Sequence, residues 1–114
     1  MLLVRAMVAA ASADGHIDDD ERRTILERLA QSGATDAERR ALEQEMRAPQ
    51  QVTVLAAQVD SPELAEQFYA VSLLSMKIDS EPEKAYLRML PLLLRLSDER
   101  ARGIEQKVGV SVPH

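Results

Sequence analysis

Ala13-Asp14-Gly15-His16-Ile17-Asp18-Asp19-Asp20-Glu21-Arg22 is the stretch on which the reading of this chain turns. Upstream, Leu2 to Ala13 is apolar and helix-favouring, and it stops at Asp14-Gly15. A glycine suits the left-handed position after a helix end. Downstream, Asp18 with Glu21 three residues later forms a capping-box pattern. An apolar stripe of Ile25, Leu26 and Leu29 follows, and Gly33 closes it. Ten residues thus define a helix, a short acidic turn and a second, amphipathic helix.

The same signals recur to the end of the chain. Thr35 with Glu38 opens a third helix to about Arg47, blocked by Pro49, and a short fourth helix is expected around 51–59. Ser61-Pro62 is the cap and first-position signature of a fifth, running through Phe68-Tyr69 to about Met76. Ser80 with Glu83 opens the sixth, and Ser97 the seventh, which Gly109 closes. Pro91 interrupts the apolar run Tyr86 to Leu96 and predicts a kink, because Leu87, Leu90 and Leu94 hold one helical face across it. Nothing alternates with period two over a useful length, so no sheet is expected.

The ten-residue stretch also has an echo. Ile78-Asp79-Ser80-Glu81 stands 61 positions after Ile17-Asp18-Asp19-Asp20, and at the same spacing Tyr69-Ala70-Val71 follows Val8-Ala9-Ala10. Tyr86 and Leu87 likewise fall over Ile25 and Leu26. The expected fold is therefore all-α, a compact bundle of about seven helices with an internal pseudo-twofold repeat. It forms one domain over residues 1–109, with halves of about 1–60 and 61–109, and residues 110–114 read as a tail.

Composition narrows the function. The 114 residues have room for a single hydrophobic core, and only 3% are aromatic. A net charge of −5 argues against nucleic acid, whose phosphates are bound by basic residues that displace counterions. With no cysteine there is no disulfide, no thiolate zinc site and no cysteine nucleophile. No run reaches the ~20 apolar residues of a membrane span. Only two histidines, His16 and His114, are present, and no Gly-rich phosphate loop occurs. Ser12, Ser72 and Ser75 lie on helices with no histidine near in sequence. The chain is not expected to be an enzyme.

The acidic turn itself admits two readings. Clustered carboxylates suit a hard cation such as Ca²⁺, Mg²⁺ or Mn²⁺. An EF-hand count from Asp14 fails, because Asp19 takes the loop-glycine place and Ile25 the twelfth. A weak divalent site would then need both halves, with Asp14, Asp18, Glu21, Asp79 and Glu83 as candidate ligands. Alternatively Asp18 caps the helix and its acidic neighbours complement the positive end of the dipole, each by ~0.3–1 kcal/mol. Capping leaves Asp14 unexplained, which makes it the foremost ligand candidate.

The order of motifs resembles a known group. Residues 13–22, with Arg5-Ala6-Met7, Ser61-Pro62-Glu63, Phe68-Tyr69-Ala70 and Ile78-Asp79, resemble the TerB-like superfamily, nearest its YebE-like bacterial branch. Two departures stand out: Ser75-Met76 occupies the place of a second Asp-Gly, and Pro91 interrupts a helix. The resemblance implies a compact helical domain, a suspected metal site between helices and a connection with tellurite and stress resistance. It also implies an upstream apolar, Gly-rich segment, so the chain is expected to be the C-terminal part of a protein tethered at the bacterial inner membrane. Its expected place is the cytoplasmic face of that membrane or the cytoplasm. The expected role is a non-enzymatic interaction or regulatory domain with a protein partner, modulated by a cation; the alternative is a metal-dependent enzyme using the same carboxylates. The first helix carries apolar residues on more than one face, so a homodimer through Leu2, Leu3 or Val4 is expected.

Overall fold

In a computed structural model, which describes residues 2–13, 15, 17–76, 78 and 80–112, the chain is all-helical. Among the described residues it forms seven α-helices: α1 (Leu2–Ala11), α2 (Asp19–Gln31), α3 (Asp36–Arg47), α4 (Val52–Ala56), α5 (Pro62–Ser75), α6 (Glu81–Leu93) and α7 (Asp98–Val108). Capping sets most boundaries. Asp18 and Thr35 each close a full capping box with the glutamate three residues on. Ser61 Oγ accepts the Leu64 N–H at 3.1 Å with Pro62 at the first turn, and Ser97 Oγ accepts that of Arg100 at 3.2 Å. Gly109, at φ 75°, ends α7 in the left-handed conformation.

Three boundaries fall inside the expected ones. α1 ends at Ala11, where Ser12 Oγ donates to the Val8 and Ala9 carbonyls and draws the last turn closed. α4 is confined to Val52–Ala56, since Gln51 supplies no side-chain cap. α6 runs through Pro91 and stops at Leu93, so the missing proline donor falls in the last turn. Leu87, Leu90 and Leu94 are buried along it as the periodicity requires. Arg95 then takes φ 60°, and the Leu96 N–H donates back to the Pro91 carbonyl at 2.9 Å, a Schellman closure made without glycine.

α1 and α5 form the centre. They pack on each other, α2, α3 and α4 lie on α1, and α7 and α6 lie on α5. The apolar faces of α1 are divided between two clusters. Ala6, Ala9 and Ala10 join α4, α5, α6 and α7 in the larger one. Met7, Val8 and Ala11 join Ile25, Leu29 and Leu42 in the smaller. The helix is apolar on several sides because it has two cores to serve, and Leu2, Leu3 and Val4 are partly buried against them.

The helix starts expected at Asp18, Thr35, Ser80 and Ser97 are observed there. Asp18 and Ser80 are the N-caps of α2 and α6, Thr35 and Ser97 those of α3 and α7, and Ile25 and Leu87 are both fully buried. The stretch after Gly109, expected as a tail, returns to the core as far as Val112, which is buried in the larger cluster.

Candidate functional site

The acidic turns were the first candidates. Asp18 and Glu21 engage each other: the Glu21 N–H donates to Asp18 Oδ1 at 2.7 Å, and the Asp18 N–H donates to Glu21 Oε1 at 3.1 Å. Glu21 is thereby held 6% exposed at the first turn of α2. Glu83, 3% exposed, holds the matching place in α6. There the box is altered: Ser80 Oγ donates to Glu83 Oε1 at 2.7 Å and accepts nothing from the helix. Asp14 and Asp79, the other two expected ligands, lie outside the described residues. Among the described residues no three His, Asp or Glu side chains gather closely enough to hold a metal ion. Asp18 and Glu21, two of the five expected ligands, form the capping box of α2, and Glu83 accepts from Ser80 at the start of α6.

A polar centre that the sequence reading did not single out lies between α5 and α7. The Tyr69 hydroxyl donates to Glu105 Oε2 at 3.0 Å, and the Val112 N–H donates to Glu105 Oε1 at 3.3 Å. All three residues are buried. One carboxylate thus ties the central helix, the last helix and the returning C-terminal strand of chain together. Burial, and then the hydrogen bond and charge of Glu105, push the Tyr69 phenol well above its ordinary value. Burial alone does the same to Tyr86, whose hydroxyl has no hydrogen-bond partner among the described residues. The signal for Glu105 was in the register of α7: Ala101, Ile104, Glu105 and Val108 follow one helical stripe, and Glu105 is the charge on it.

The serines are engaged as well. Ser72 Oγ donates to the Phe68 carbonyl at 2.7 Å, Ser75 Oγ to that of Val71, and Ser12 to its own helix as above. Their hydroxyls satisfy backbone oxygens within the helix.

The surface offers two further features. On α6, Pro82, Ala85, Met89 and Leu92 are exposed at spacings of three, four and three, an apolar stripe of the kind that seams paired helices. Leu92 is 74% exposed and Met89 39%. At its C-terminal end the stripe borders a cleft of about 150 Å³ that reaches Arg88, Arg102 and the Tyr69–Glu105 pair. The second feature is a groove of about 500 Å³ between α5 and α7, with Glu63 and Glu66 on one wall and Arg100 and Lys107 on the other.

Comparison with known proteins places this architecture in a lineage. Residues 1–108 match the model of a family described as protein of unknown function, DUF533. Over 106 residues the chain is 30% identical to a Yersinia enterocolitica protein described as "Uncharacterized protein in ampR 5'region", a match covering 93% of this chain and 76% of that protein. No solved structure matches it.

Proposed function

Because the chain belongs to the DUF533 family of proteins of unknown function, we propose its role from its own surface: it is a non-enzymatic interaction domain that docks a partner protein on the outer face of α6. The observation that carries this reading is the exposed stripe of Pro82, Ala85, Met89 and Leu92. An apolar seam of this spacing fits the apolar edge of a partner helix. Burying a leucine as exposed as Leu92 would contribute about 1.5–3 kcal/mol. The engaged state of Glu21, Glu83, Glu105 and the buried serines agrees with a domain whose polar interior holds helices rather than a reacting group.

A photo-crosslinking residue at position 92, in the protein expressed at native level in its host, tests the reading. A discrete protein adduct is expected, and Met89→Glu should abolish it without altering the melting temperature. Absence of any adduct from position 92, with the fold intact, would refute docking on α6.

The finer placement in the proposal is TerB-like, nearest the YebE-like branch, and rests on residues 13–22, 61–63, 68–70 and 78–79. With it comes attachment to the bacterial inner membrane through an upstream segment, and a setting in stress or tellurite resistance. No helix among the described residues is long and apolar enough to cross a membrane, so attachment in this reading belongs to that upstream segment.

Cation modulation is the remaining part of the proposal. Titration with Ca²⁺, Mg²⁺ or Mn²⁺ under amide NMR should shift residues 14–21 and 78–83 together. Movement of one turn alone, or of neither at millimolar ion, would remove the shared site, and the capping box of α2 would then account for Asp18 and Glu21.

A further inference from the structure

The groove between α5 and α7 contains a residue that the fold does not ask for. Gly103 stands in the interior of α7, where glycine is the poorest helix former after proline. Its backbone is helical, and a Cβ added there would meet no atom within 4 Å. Neither turn geometry nor packing within the chain calls for glycine, so the notch suits close approach from outside. Around it the floor is apolar, with Ala70 and Ile104. Leu74, 42% exposed, lies one turn beyond Ala70 on the same face of α5 and extends that floor.

The walls carry opposite charge: Glu63 and Glu66 on α5, Arg100 and Lys107 on α7. The two helices run in the same direction, since Glu66 meets Arg100 at 3.1 Å and Tyr69, a turn later, meets Glu105. We propose that this groove is the contact between two copies of the chain, related by a twofold axis running along it. That operation lays the acidic wall of each copy on the basic wall of the other, whereas an axis across the groove would set like charge on like. The two Gly103 notches then face each other and let the helix pairs close into a four-helix layer pair. Charge self-complementarity selects a second copy over an unrelated partner. Leu2, Leu3 and Val4, through which a dimer is expected from the sequence, are partly buried against the two cores.

Sedimentation equilibrium at about 100 µM, well above the dissociation constants of specific interfaces, should find the wild type dimeric. Gly103→Leu fills the notch and should yield a monomer with unchanged helical circular dichroism. Arg100→Glu should weaken association by about tenfold or more, and Glu66→Arg combined with Arg100→Glu should restore most of it by rebuilding the pairs with reversed sign. Leu92→Glu, on α6, should leave the dimer unchanged. A monomeric wild type overturns the proposal. So does a dimer indifferent to Gly103→Leu and Arg100→Glu, or one that Leu92→Glu alone dissolves.

Discussion

Alanine in place of Phe68 is expected to destabilise the protein by about 3–5 kcal/mol, the range for emptying a buried aromatic site. Phe68 is fully buried at the middle of α5, the helix against which α1, α6 and α7 all pack. Its removal leaves a void that rigid helices on several sides cannot close together. A domain of this kind has a total stability of about 5–15 kcal/mol, so the variant would sit near the edge of folding. Urea unfolding followed by circular dichroism should show the midpoint falling steeply at an unchanged slope. A loss below about 1 kcal/mol would mean that α5 is not the centre of the core.

Glu105→Ala is expected to have the second largest effect. It strands two buried donors, the Tyr69 hydroxyl and the Val112 N–H. Each unsatisfied donor costs about 1–3 kcal/mol, giving about 2–6 kcal/mol together before the freed groups relax. Tyr69→Phe should cost less, about 1–2 kcal/mol, since Glu105 keeps the Val112 N–H. The double variant should fall short of the sum of the two, because both remove the same bond. pH adds an independent check. With the folded Tyr69 phenol raised above its unfolded value near 10, the unfolded chain releases that proton first as alkali is added. The stabilisation is complete below about pH 10 and is withdrawn above it, by at most about 1.4 kcal/mol per pH unit. Tyr69→Phe should flatten this alkaline decline and leave the part due to Tyr86. An unchanged alkaline slope in Tyr69→Phe would show that the phenol is not perturbed by folding.

These two predictions mark the line between what was legible in the sequence and what was not. Asp18 with Glu21, Thr35 with Glu38, Ser61 with Pro62 and Gly109 act within one turn of themselves, so their type and spacing suffice to locate helix ends. Phe68 was readable too, as part of the fifth helix that Ser61-Pro62 opens. Glu105 and Tyr69 are 36 positions apart and meet only because α5 and α7 run side by side. On a charged amphipathic helix a glutamate looks solvated unless its place on the apolar stripe is weighed. For the acidic cluster, the same local rules that predicted capping explain Asp18 and Glu21, and they leave Asp14 where the sequence left it.

The segment after Gly109, buried as far as Val112, extends the folded unit beyond the last helix. The match to the family model ends at residue 108, yet Val112 is seated in the larger core and its amide is bonded to Glu105. The matched range and the folded core therefore end at different residues. Residues 109–112, beyond the stretch that the family model matches, act as a stopper in the α5–α7 seam. A gene fragment trimmed to the inherited signature would encode the whole set of helices without the plug that seals them.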